Sequence, residues 1–157
     1  MYHHIPIDKI KIFERQIDCF IKDGWQFIDP ADLYDKKIFK SKKKLLLTFD
    51  DGFYSNKIIA KKILKKFNIK AIFFVPSKFI EMNELESVNK FIKNNLELKK
   101  ISYLNQCKVN MGYEDLKELI NLKHEIGGHT KNHKHLCAIQ SNFKKKMRLK
   151  IVLIKIF

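Results

Sequence analysis

Two continuous apolar runs, "KLLLTFD" at residues 44 to 50 and "KAIFFV" at 70 to 75, enclose the segment "NKIIAKKILKKFN". Runs of this length and composition read as strands buried on both faces. Between them the apolar residues recur at helical spacing, which predicts an amphipathic helix. Strands joined through a helix pair in parallel, and parallel sheets carry helices on their faces. This one stretch therefore restricts the chain to α/β architectures.

The alternation continues on both sides. In "IDKIKIFERQIDCFIKDG" residues Ile10, Phe13, Ile17, Phe20 and Ile21 fall on one helical face, with a stop at Gly24. "WQFID" reads as a short strand, and Asp29 can cap a helix whose first position is Pro30. Residues 78 to 110 read as a polar, irregular insertion containing some helix. "YEDLKELINL" is helical again, and "HEIGGHT" is a further strand, near 124 to 129, ending in a turn. The expected fold is a parallel α/β sheet or barrel, in which functional groups collect where strands end. At 157 residues, 45% hydrophobic, the chain has enough apolar material for one domain.

A formal net charge of +15 suits a polyanion. The basic residues are spread over the whole length, however, so no nucleic-acid partner is expected. Cys19, Cys107 and Cys137 are odd in number and form no CxxC, which favours free thiols in a reducing compartment. No stretch has the length of a transmembrane helix, and the first residues carry no apolar signal-peptide core. As written, the chain reads as cytoplasmic, with a cell-envelope role open if its true start lies upstream; its oligomeric state is not indicated.

Asp50 and Asp51 end the first apolar run and precede Gly52. Adjacent carboxylates repel, and burying either without a partner is costly. A solvated strand-to-turn junction is one explanation and a cation is the other. The segment "GGHTKNHKHLC" ends another strand, with His129 and His133 four apart. Spacing of that kind puts two imidazoles on one side of a helical turn, where they can share a cation. Two histidines and one carboxylate make a facial donor set with positions left for water and substrate.

"TFDDG" followed by "HTKNH" resembles the first two motifs of the polysaccharide deacetylases, the NodB-homology domain. The connecting segments "YHHI", "FERQIDCFIKDGWQFI", "NKIIAKKILKKFNIKAIFFV" and "LKELINLKHEIGGHT" resemble the family's as well, over roughly residues 2 to 140. The resemblance implies a distorted (β/α) barrel, incomplete here, and removal of N-acetyl groups from a polysaccharide such as poly-N-acetylglucosamine, peptidoglycan or a chitin-like polymer. It implies Asp51, His129 and His133 as ligands of a divalent metal, most readily Zn2+ with Co2+ or Ni2+ as alternatives, and Asp50 as general base. "MYHHI" resembles the N-terminal Tyr-His segment of a subgroup acting on poly-N-acetylglucosamine, which implies His3 as the acid for the leaving amine. Thr130 then orients a ligand or caps a turn, and Gly52 and Gly128 allow close backbone approach. His135 and Cys137 fall outside the family's ligand pattern, and His124 reads as structural.

The family's later motifs are not visible after residue 140. Residues 141 to 157, ending "NFKKKMRLKIVLIKIF", are basic and then apolar, and read as a truncation or frameshift product following a partial catalytic domain at 1 to 140. Three readings stay open: an active deacetylase, an inactive fragment of one, and a non-catalytic basic module binding glycans or polyanions.

Overall fold

A computed structural model of the protein describes residues 1–34, 43–96 and 108–134. Helix α1 (Ile10–Lys22) buries Phe13 and Ile17. Phe20 and Ile21 stay exposed instead of joining that face; the Phe20 ring meets Trp25 and Phe27 edge-on at the rim. Gly24, at φ +81°, turns the chain out of the helix. Strand β1 (Gln26–Phe27) follows, then one short helical turn from Pro30 to Tyr34, where Asp29 Oδ1 accepts the Ala31 N–H at 2.9 Å.

The apolar run at 44 to 50 is not one strand. Its first part, β2 (Lys44–Leu45), pairs with β1, while β3 (Leu47–Phe49) pairs with β4 (Ala71–Val75). The chain changes neighbours at Leu46, and period-2 reading cannot detect this because both halves are apolar. Between β3 and β4 lies α2 (Tyr54–Ile59), prolonged by a wider helical turn over Ala60–Leu64. Strand β5 (Glu125–Gly128) pairs with β4, so the main sheet is β3-β4-β5 and wholly parallel. Tyr2 flanks β3 on its free side: its N–H donates to Thr48 O at 2.9 Å, and its carbonyl accepts the Asp50 N–H at 2.8 Å.

Helices cover one face of this sheet. Phe13 and Ile17 of α1, Ile59, Ile63 and Leu64 of the α2 segment, and Leu116 and Leu119 of α5 (Tyr113–Asn121) pack on Phe49, Phe73, Val75 and Ile126. Phe49 and Phe73 stack with centroids 4.9 Å apart; burying each is worth ~2 kcal/mol. On the opposite face Thr48, Ile72 and Phe74 are only half-buried, which corrects the expectation of strands buried on both sides.

The segment read as an irregular insertion with some helix is largely helical where it is described. Helices α3 (Ser77–Ile80) and α4 (Leu85–Phe91) are followed by a wide turn over Ile92–Leu96. Phe79, Val88, Phe91, Ile92 and Leu96 form a second apolar cluster with Phe53 and Val109. Asn110 ties it off by donating to the Phe79 and Met82 carbonyls at 2.6 and 2.9 Å. The domain boundary read at residue 140, the tail after it, Cys107, His135 and Cys137 lie outside the described residues. Among the described residues no helix is long and apolar enough to cross a membrane.

Candidate metal centre

Strand β3 delivers the two carboxylates one and two residues beyond its last paired position, Phe49. Asp51 and Gly52 both take left-handed backbone, at φ +74° and +77°. Glycine is needed at the second position on two counts: the left-handed φ, and the space. A Cβ there would lie 3.0 Å from Ile80 Cδ1 and 3.2 Å from Val75 Cγ1. Both aspartates are buried.

The His129 N–H donates to Val75 O at 3.0 Å, continuing the β4–β5 ladder one step and fixing that histidine at the strand end. His133 then arrives by a different route from the helical turn expected. Residues 130 to 132 form a non-helical turn that Thr130 opens in left-handed backbone, at φ +61°, and that His133 follows, also left-handed, at φ +52°. The Thr130 hydroxyl accepts the Lys134 N–H at 3.0 Å, and the Lys78 N–H donates to Lys131 O at 3.1 Å. The imidazoles meet nearly perpendicular, with centroids 4.6 Å apart.

Donor atoms of Asp51, His129 and His133 all lie within 4.8 Å of one another. His133 Nε2 is 3.3 Å and His129 Nε2 3.6 Å from Asp51 Oδ1. Ligands ~2.0–2.1 Å from a tetrahedral zinc are spaced by about 3.3 Å, so the donor set fits such an ion. Asp51 Oδ1 supplies independent support. It is buried and accepts no hydrogen bond, despite the two imidazoles beside it. A carboxylate oxygen left in that state is costly unless a cation completes it.

Asp50 stands beside the set, its Oδ2 3.9 Å from His129 Nε2 and its Oδ1 likewise buried without a hydrogen bond. Burial pushes its carboxyl above the usual carboxylate range, against the pull of His129 and His3. Burial, seconded by the His133 ring, lowers His129, which favours the neutral imidazole a metal requires. His3 is half-exposed, with Nδ1 3.2 Å from Asp51 Oδ2. The structure thus brings Asp50, Asp51, His3, His129 and His133 together.

His124 sits apart, buried, with Nδ1 accepting the Ala71 N–H at 3.2 Å. Close approach near β5 falls on Gly127, where a Cβ would come within 2.4 Å of the Phe74 ring. Sequence reading missed Asn95, whose carbonyl lies 2.8 Å from His133 Nδ1. It belongs to the segment taken as irregular, and nothing in its local pattern marks it.

The parallel α/β sheet thus carries a two-histidine, one-carboxylate donor set beside its strand ends, with a second buried carboxylate next to it. The sequence profile of the family described as polysaccharide deacetylase matches residues 37–151, and the chain belongs to that family. It is 32% identical over 90 residues to "Putative polysaccharide deacetylase YxkH" of Bacillus subtilis (strain 168), covering 51% of this chain and 32% of that protein. Among solved structures, IcaB from Ammonifex degensii superposes with a TM-score of 0.59 at 22% identity, over 83% of this chain and 51% of that one. The Streptococcus pyogenes deacetylase PplD in complex with acetate also gives 0.59, at 21% identity, over 88% and 56%. The chain thus spans about a third of the curated relative and about half of these two solved chains.

Proposed function

We propose that this protein is a metal-dependent hydrolase that removes N-acetyl groups from a polysaccharide of the poly-N-acetylglucosamine, peptidoglycan or chitin type. The observation that carries the reading is the convergence of Asp51, His129 and His133 beside a second buried carboxylate, Asp50. Family membership supports the substrate class. A sheet with α1, α2 and α5 on one face and a half-buried opposite face is read as three neighbouring strands of a distorted (β/α) barrel.

Asp51, His129 and His133 would hold the cation, with zinc the best match to two imidazoles and one carboxylate; cobalt and nickel accept the same donors. Once bound, the ion supplies Lewis acidity, which makes water nucleophilic near neutral pH and polarises an amide carbonyl. Asp50 takes the proton of the water whose oxygen adds to the acetamide carbon. The carbon–nitrogen bond then breaks as His3 delivers a proton to the sugar amine, releasing acetate. His3 Nδ1 faces Asp51, which leaves Nε2 to carry that proton. Thr130 acts through the turn it ties, and Gly52 by leaving room beneath the acidic pair.

The test uses the full 157-residue chain, loaded with zinc and dialysed. One zinc per chain by mass spectrometry, with acetate released from N-acetylglucosamine oligomers, is the expected result. A folded chain that retains no zinc overturns the metal reading, and a zinc-loaded chain inert on every N-acetylated glycan offered overturns the deacetylase reading.

A further inference from the structure

Asn95, remote in sequence, touches both His133 and the peptide before it. The Asn95 carbonyl lies 2.8 Å from His133 Nδ1. A carbonyl only accepts, so the ring must donate Nδ1–H, and the bare lone pair sits on Nε2, the nitrogen 3.3 Å from Asp51 Oδ1. The Asn95 side-chain amide donates to the Asn132 carbonyl at 2.9 Å and so clamps the peptide immediately before the histidine. On the far side, the Lys134 N–H is tied to Thr130 Oγ1.

Asn95 can serve both ways because of where it sits. It lies in the wide helical turn Ile92–Leu96. The turn itself is anchored by Ile92 and Leu96 in the second apolar cluster. Left-handed backbone at His133 adds a reason for the clamp, since that conformation is uphill for a residue with a Cβ and persists only where surroundings hold it.

We infer that Asn95 is a positioning residue for the metal centre: it selects the tautomer of His133 and fixes its place, and thereby sets metal affinity. This rests on the metal reading given above. The helical segment before residue 97 thus acts as a buttress for a ligand carried by the opposite loop.

The experiment compares the full wild-type chain with Asn95→Ala and Asn95→Asp, the latter near-isosteric but unable to donate when ionised. Zinc affinity is measured by competition with a chromophoric chelator. Long-range 15N–1H spectra of the metal-free chain report the His133 tautomer, and thermal melting reports the fold. The expected result is an Nδ1–H tautomer in the wild type. Both variants keep the main-chain carbonyl, and with it the tautomer, but lose the side-chain clamp on the Asn132 carbonyl; they should bind zinc about 10-fold more weakly, the low end of the range for disturbed support of metal ligands, with melting nearly unchanged. An Nε2–H tautomer in the wild type overturns the inference without needing any variant. Tight wild-type binding with undiminished affinity in Asn95→Ala overturns it while leaving the metal reading intact. A wild-type chain that binds no zinc overturns the metal reading itself, and the inference with it.

Discussion

Asp51 and His133 meet at 3.3 Å, and each does so from left-handed backbone, at φ +74° and +52°. Aspartate and histidine tolerate that region better than most residues, but Thr130, at φ +61° in the same turn as His133, is β-branched and carries strain of ~1–2 kcal/mol. The site therefore holds its donors at a conformational cost supplied by the surrounding fold.

Thr130→Gly separates that cost from its purpose. Glycine relieves the backbone but loses the hydroxyl that accepts from Lys134. Melting temperature should stay level or rise, while zinc affinity falls about tenfold as the turn loosens. A parallel loss of both in calorimetry and chelator competition would mean that the hydroxyl stabilises the fold as a whole.

The acidic pair should divide its labour. Asp51→Ala removes one of three protein ligands, so metal content and turnover should vanish together. Asp50→Asn keeps size and ligand set but cannot take a proton; metal should remain while turnover falls by about two to four orders of magnitude. Metal analysis and acetate release, in this chain and in a longer relative, are the readouts. The opposite pattern of metal loss would reverse the two assignments.

Gly127→Ala should destabilise the β4–β5 junction by about 1–3 kcal/mol, because the new methyl collides with the Phe74 ring. Adding Phe74→Ala should recover part of the loss. Urea titration of the four chains in the cycle measures the coupling, and strict additivity would remove Phe74 as the obstacle.

His124 should make stability depend on acid. Burial, with the Lys70 charge in support, lowers it to about 4 from 6.5. Between those values the unfolded chain binds a proton that the native chain refuses, so stability falls as pH drops through 6.5 and levels off below about 4. A shift of that size is worth about 3 kcal/mol. His124→Asn, which retains an acceptor for the Ala71 N–H, should flatten this component in denaturant titrations run from pH 7 to pH 4.

Much of the site was legible because its chemistry is tied to residue type. Paired carboxylates after an apolar run and imidazoles after another strand can be read as donors at strand ends without coordinates; β4 follows from its continuous apolar run and α5 from its helical period. The manner of convergence was not legible. Spacing of four suggested a helical turn for His129 and His133, whereas backbone signs at Thr130 and His133 do the work. The partner change at Leu46 left no mark in an unbroken apolar stretch. Nor did Asn95 stand out, since its role depends on a contact with residues 132 and 133 that local pattern does not encode. Close approach was read at Gly128, whereas the Phe74 ring puts it at Gly127, which no sequence pattern marked.

The parallel bridge between Tyr2 and Phe49 has a practical bearing on handling. Tyr2 stands level with Phe49, the last residue of β3, and the next residue, His3, already reaches Asp51. A linker joined ahead of Met1 therefore starts within two residues of the donor cluster. Tethering the protein to a solid support through that end would crowd the approach of a large polymer to the cluster. The same tether would also pull directly on the strand fragment that carries His3.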